Sequence, residues 1–269
     1  MLAEVSGKTL NVWTSGKSSD GQLGKELVDG VETFIFIHGL GSSQNYYYPI
    51  VSSIVPFGNC ILFDNEGAGN SPLSDTPPTV ESMAGDVVRL LDHFKVAAAT
   101  VVGHSMGGMA ALKAAELYSS RVNALILLGP VHPTEKGAKV MAGRIDTIKQ
   151  SGNLFQIADA VPQLAPAKSV PALNRAFIRA LIASQTPQGY AAACKVIVDA
   201  KSPNYAKVKA PVLLLVGNED MTAPYEGCAS IIEQGLQNVV VEKLDQVGHW
   251  YCIEAPEKIS NSIVSWLKN

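Results

Sequence analysis

Apolar positions along this chain fall into two rhythms. Between residues 31 and 130, short runs rich in β-branched and aromatic residues alternate with longer stretches whose apolar positions recur every three or four residues. Uninterrupted short runs fit strands covered on both faces, and periodic stretches fit amphipathic helices, so the alternation predicts βαβ units around a mostly parallel sheet with helices on both faces. The predicted strands are Thr33 to Ile37, Cys60 to Phe63, Ala99 to Val102, Ala124 to Leu128, Val212 to Val216 and Val239 to Lys243, with Leu10 to Thr14 before them as an antiparallel edge strand. Predicted helices run from Val80 to Phe94, with Asp86, Arg89 and Asp92 on the polar side, from Ser105 to Tyr118, and from Pro256 to Leu267. In the last of these Ile259, Ile263 and Trp266 return about once per turn. Residues 15 to 30, polar and rich in glycine, read as a surface loop.

The alternation stops between about Pro130 and Pro203. This stretch is rich in alanine, is punctuated by Pro133, Pro162, Pro166, Pro171 and Pro187, and reads as several short helices. It lacks the Gly/Ser composition of a flexible tether. Its apolar residues, among them Phe155, Ile157, Leu164, Phe177, Ile178, Leu181 and Ile182, need a surface to pack on. The stretch is therefore expected to be a helical cap, residues 130–203, inserted into an α/β core formed by residues 1–129 and 204–269. No internal repeat is visible.

Composition narrows the function classes. A chain of 269 residues that is 47% apolar buries roughly three quarters of its unfolded surface, and so needs neither disulfides nor metal to fold. The 21 Lys and Arg against 24 Asp and Glu give a net charge of -3 without a long run of either sign. That balance offers nothing to nucleic acid or to an anionic membrane. Cys60, Cys194, Cys228 and Cys252 are scattered, form no Cys-x-x-Cys or Cys/His cluster, and read as buried thiols of a reducing compartment. The start, Met1 to Val5, has no basic segment followed by an apolar one, and no apolar run approaches the ~18 residues that span a bilayer. The expectation is a cytoplasmic protein without cofactor or metal; the sequence does not fix its oligomeric state.

The chemistry centres on Gly103-His104-Ser105-Met106-Gly107, placed immediately after an apolar run and immediately before an Ala-rich helix. The bare Gly-x-Ser-x-Gly pattern also occurs in loops, but strand before and helix after is the context in which a sharp turn presents a serine hydroxyl above a sheet. A serine hydroxyl needs a base of near-neutral pKa within reach, and histidine supplies it. Of the five histidines, His104 lies inside the turn and is expected to point away from Ser105. His38 belongs to a second motif, His93 is expected on a solvated helix face, and His132 opens the inserted segment. His249 remains, in a loop after the last predicted strand, where it completes the order serine, acid, histidine.

The acid that orients the histidine belongs between them, at the carboxyl end of a strand. Asp220, in Gly217-Asn218-Glu219-Asp220, fits, with Glu219 as its rival; spacing after the strand favours Asp220. The alternative position after Leu128 offers only Gly129 and Pro130. An oxyanion hole needs two backbone amides. Met106, at the helix N-terminus, supplies one, and Leu40, flanked by glycines in His38-Gly39-Leu40-Gly41, supplies the other.

With Ser105, Asp220, His249 and His38-Gly39 in this order, the chain resembles the α/β-hydrolase superfamily along nearly its whole length, and in particular its small capped esterases and lactonases of the 3-oxoadipate enol-lactonase type. Three further segments match that group: Asp64 to Ser71 is similar to its Asp-x-x-Gly-x-Gly-x-Ser loop, Gly217 to Pro224 to its acid loop, and Gly248-His249 with Glu254-x-Pro256 to its histidine loop. One position departs: Glu66 stands where the group usually has arginine, which removes a basic contact expected near the site and weakens an inference to acidic substrates from the resemblance.

The resemblance implies hydrolysis of a carboxylic ester or lactone of a small, moderately apolar molecule through an acyl-enzyme. Two alternatives stay open. One is carbon–carbon bond hydrolysis of a diketone-like substrate, for which basic residues near Ser105 would be the sign; Arg144, Arg175 and Arg179 lie in the inserted segment. The other is a small-molecule receptor that keeps a vestigial triad. His132, Phe155, Phe177, Tyr190 and Trp250 are the candidates for the pocket lining.

Overall fold

The computed structural model describes residues 1–17, 23–24 and 26–269. Strands β1 (Leu2–Val5), β2 (Lys8–Lys17), β3 (Leu23–Gly24), β4 (Thr33–Ile37), β5 (Asn59–Phe63), β6 (Ala99–His104), β7 (Val122–Leu128), β8 (Val212–Gly217) and β9 (Val239–Leu244) form one sheet. Its order is β1-β2-β5-β4-β6-β7-β8-β9, with β3 paired to β2. From β5 to β9 every pairing is parallel.

The parallel strands formed because their residues are apolar on both faces. In β4, β6 and β8 every residue is buried, and successive side chains enter opposite cores. Ile35, Val101 and Leu125 pack with Val87 and Ala111 of helices α2 (Val80–His93) and α3 (Met106–Leu117). Phe34, Val102 and Ile126 pack with Ile54 and Ile263, on α1 (Tyr48–Ile54) and the C-terminal Pro256–Leu267 helix. Helix α2 starts where Thr79 and Ser82 cap each other: Thr79 Oγ1 accepts from the Ser82 amide at 3.0 Å, and Ser82 Oγ accepts from the Thr79 amide at 2.9 Å.

Two sequence expectations change at the N-terminal edge. Residues 10–14 lie in an antiparallel strand, but β2 is not the edge: β1 pairs with it from Leu2–Asn11 to Val5–Lys8 and takes the edge position. Of the stretch expected as a loop, residues 15–17 extend β2 and residues 23–24 form β3, while residues 18–22 and 25 lie outside the described residues.

Between β7 and β8 the chain forms α4 (Glu135–Ser151), α5 (Phe155–Leu164), α6 (Ala172–Ala183) and α7 (Pro187–Asp199). Helix α4 packs on α7, and α5 on α6. Ile157, Ile178, Leu181 and Ile182 bury in the core shared with α1 and the C-terminal helix. Phe155, Leu164 and Phe177 do not, being 62%, 76% and 37% exposed. Phe177 shows why: one residue before Ile178, it is rotated by about 100° around the same helix, onto the outer face. Helices α8 (Ser230–Gly235), α9 (Tyr251–Glu254) and α10 (Pro256–Leu267) complete the chain. Among the described residues no helix is long and apolar enough to cross a membrane.

Strand β4 lies between β5 and β6, so the strand order reverses there. The crevice at the carboxyl ends of β4 and β6 is the place where open parallel sheets hold ligands.

Candidate active site

That crevice holds Ser105. Strand β6 ends at His104 and α3 begins at Met106, leaving Ser105 alone to make the turn, with φ 54° and ψ -117°. A non-glycine residue adopts such a conformation only when its surroundings over-determine it. They do so by close backbone approach. A Cβ at Gly107 would lie 2.1 Å from the Ile37 carbonyl oxygen of β4, and one at Gly103 would lie 2.6 Å from the Gly107 oxygen. The Ser105 amide still donates to Leu128 O of β7 at 3.1 Å, tying the turn to the sheet.

Ser105 Oγ lies 2.8 Å from His249 Nε2, and His249 Nδ1 lies 2.8 Å from Asp220 Oδ2. A carboxylate only accepts, so Nδ1 carries the imidazole proton and Nε2 is left to accept from the serine hydroxyl. Asp220, not Glu219, faces the histidine; Glu219 turns away and accepts from the Lys168 amide at 3.0 Å. Asp220 Oδ1 accepts from the Thr222 and Ala223 amides at 2.9 and 2.8 Å, and Oδ2 also accepts from Tyr251 Oη at 3.1 Å. Burial pushes the Asp220 carboxyl up, but the His249 charge and these bonds outweigh it and hold it below its ordinary value. Gly129, the other position open to an acid, is filled from outside: a Cβ there would meet Asp220 Oδ2 at 2.8 Å.

The loop carrying His249 is fixed from three sides. Its amide donates to Ala165 O of the inserted segment at 2.9 Å. Its carbonyl accepts from His104 Nε2 at 2.7 Å, so His104, stacked on Tyr46 at 4.3 Å, props the histidine loop. Burial, reinforced by the His249 charge, pushes the His104 imidazole well below its ordinary value, so it stays neutral. Glu254 then gathers the amides of Gly248, Ala167 and Trp250 at 2.8, 2.8 and 2.6 Å.

The loop after β4 lies against the serine. A Cβ at Gly39 would be 3.0 Å from Ser105 Cβ, which leaves room for glycine alone and brings Leu40 to the same cavity. Met106 opens α3, where the first amides have no intrahelical acceptor. His38 Nε2 accepts from the Asn65 amide at 2.9 Å, and Asp64 accepts from the Gln44 and Asn70 amides at 2.7 and 2.9 Å, so the Asp64 loop is the scaffold of the loop after β4. Glu66 is not left without a cation: Lys8 of β2 pairs with it at 2.6 Å.

A cavity of about 100 Å³ lies over Ser105 and His249. In the measure by which one water needs roughly 10–15 Å³, it has room for several. Tyr190 and Trp250 line it, as do Met141, Arg144, Ile182 and Ile197 of the inserted helices and of the residues between them. His132, Phe155 and Phe177 do not. His132 turns to Tyr205, its Nδ1 2.8 Å from the hydroxyl, and the two phenylalanines stand on outer helix faces. The sequence signal for Arg144 was the helical spacing 137, 141, 144, which puts Gly137, Met141 and Arg144 on one face of α4.

A family model described as alpha/beta hydrolase fold matches residues 32–256. The chain is 26% identical to 3-oxoadipate enol-lactonase 1 of Acinetobacter baylyi over 281 residues, covering 100% of this chain and 97% of that protein. It is 27% identical to a 2-hydroxy-6-oxononadienedioate/2-hydroxy-6-oxononatrienedioate hydrolase of Paraburkholderia xenovorans, covering 93% of each. The crystal structure of an enol-lactonase from Burkholderia xenovorans superposes with a TM-score of 0.86 at 23% identity, each chain fully covered, a likeness of fold.

Proposed function

The chain belongs to the alpha/beta hydrolase fold family, and from that premise we propose that it is a serine hydrolase cleaving the ester or lactone bond of a small molecule. The observation that carries this reading is the unbroken chain of contacts from Asp220 through His249 to Ser105, at 2.8 and 2.8 Å, on the floor of a cavity.

In this reading Ser105 Oγ attacks the substrate carbonyl carbon while His249 Nε2 takes the hydroxyl proton. Asp220 stabilises the imidazolium, and the Leu40 and Met106 amides receive the charge that develops on the carbonyl oxygen. Collapse breaks the bond to the leaving oxygen, which takes the proton from His249. Water, deprotonated by the same nitrogen, then releases the acid. Residues 130–203 act as a cap that shapes the cavity over a core of residues 1–129 and 204–269, and their aliphatic lining suits a small, moderately apolar substrate.

Mass spectrometry after fluorophosphonate treatment tests this. One adduct on Ser105, absent from Ser105→Ala and His249→Ala, is the expected result, together with turnover of short p-nitrophenyl esters or lactones. An unlabelled wild-type protein that cleaves none of them overturns it. Arg144 in the cavity favours a second reading, carbon–carbon bond hydrolysis of a diketone-like substrate. Turnover of a vinylogous diketone without esterase activity would select that reading.

A further inference from the structure

Arg144 takes no part in the chemistry above, although it lines the cavity that holds Ser105. The other arginines of residues 130–203 have partners elsewhere. Arg175 donates to the carbonyls of Val170, Ala167 and Lys168, and Arg179 pairs with Asp159 at 2.7 Å. Arg144 Nη1 donates instead to a neutral group, Tyr190 Oη, at 3.0 Å, and among the described residues it has no carboxylate partner.

The surroundings make that cation conspicuous. Leu40, Val131, Met141, Val161, Ile182 and Ile197 line the same cavity, and Arg144, half-buried at its edge, offers there a guanidinium with no carboxylate among the described residues to pair with. Tyr190 adds a second donor. Its oxygen already accepts from Arg144, so its own proton is left to point elsewhere, and burial pushes the hydroxyl up to about 12, which keeps that proton in place at neutral pH. A guanidinium fork beside a phenolic O–H is a donor set shaped for a planar carboxylate. Arg144 also borders an outer groove lined by Gln156, Leu164 and Met221, so it stands between that groove and the cavity over Ser105.

We propose that Arg144 and Tyr190 form a carboxylate subsite, and that the substrate carries a carboxylate on its acyl portion, a few bonds from the carbonyl that Ser105 attacks. The acyl portion is the part that stays in the cavity, bound to Ser105, after the leaving group departs through the groove. The small volume limits the spacer between carbonyl and carboxylate to a short one. This inference rests on the serine hydrolase reading.

The test compares 4-nitrophenyl pentanoate with the mono-4-nitrophenyl ester of glutaric acid, which differ in acyl terminus, methyl against carboxylate. Wild type is expected to favour the glutarate ester in kcat/KM. In Arg144→Met the glutarate-to-pentanoate ratio falls about 10- to 100-fold, as for the loss of a charge-assisted hydrogen bond pair. Tyr190→Phe gives a smaller fall and Arg144→Lys an intermediate one, and these two variants serve if Arg144→Met is poorly folded. Calorimetric binding of the glutarate ester to Ser105→Ala protein, with and without Arg144→Met, reads the subsite apart from hydrolysis. If wild type cleaves neither ester but the Ser105→Ala protein binds the glutarate ester through Arg144, the subsite stands and the hydrolase reading falls. Ratios and binding that do not change between Arg144 and its replacements overturn the subsite.

Discussion

Each oxygen of Asp220 has two donors: the Thr222 and Ala223 amides on Oδ1, His249 and Tyr251 on Oδ2. Tyr251 in turn accepts from the Gly217 amide at 2.8 Å, so one phenol spans the strand end and the acid. Tyr251 is therefore a positioning residue. Tyr251→Phe should lower kcat about tenfold, the worth of one hydrogen bond to a charged group, with KM little changed. The sign of its pH effect follows. Removing a donor from the carboxylate raises the Asp220 pKa from its depressed value, so the loss of activity that follows Asp220 protonation on acidification begins at a higher pH in the variant. An onset that stays in place would reduce Tyr251 to a packing role. Ser105 and His249 were legible in the sequence because turn geometry and chain order restrict where they can stand. The roles of Tyr251 and His104 were not, because their partners are 31 and 145 residues away and meet them only through the fold.

Elements set by burial on both faces were the readable ones. The six predicted parallel strands appear with boundaries moved by at most two residues; five are runs covered on both faces, and the edge strand β9, partly exposed, was readable from its β-branched residues instead. Strand β1 escaped notice because four residues with alternate ones exposed carry little signal, and α9 because a single turn is held by its neighbours. Glu254 of α9 is the neighbour that matters: one carboxylate collects three amides from the histidine loop and the inserted segment. Burial pushes this carboxyl up although the three amides oppose it. Glu254→Gln puts an amide nitrogen against backbone donors and should cost about 1–3 kcal/mol, read as a fall in melting temperature together with slower labelling of Ser105. An unchanged labelling rate would separate α9 from the site.

Across the whole molecule, Lys8 joins the N-terminal strands to the rest. It reaches Glu66 of the Asp64 loop at 2.6 Å and Asp86 of α2 at 3.2 Å, both carboxylates almost wholly buried. Lys8→Met leaves buried Glu66 without a cation and Asp86 with Arg89 alone, at 2.8 Å, and should destabilise the protein by about 3 kcal/mol, seen as a lower denaturant midpoint at unchanged m-value. A midpoint within error of wild type would show that the acids find other partners. Fold class was legible at this scale because alternation and length leave few architectures. The seating of α4 to α7 was not, since the faces they bury depend on side chains from several helices at once, and three of the five pocket candidates fell elsewhere for that reason.

The inserted helices are sewn to the loops beneath them by backbone. His249 donates to Ala165 O, and buried Gln185 both donates to Ser42 O at 3.1 Å and accepts from the Gly69 amide at 3.1 Å. The insertion therefore cannot be exchanged as a cassette. A chimera that grafts foreign helices in place of α4 to α7 must carry over an acceptor at 165 and a glutamine at 185, or it will inherit a new pocket above a histidine loop that has lost one of its moorings.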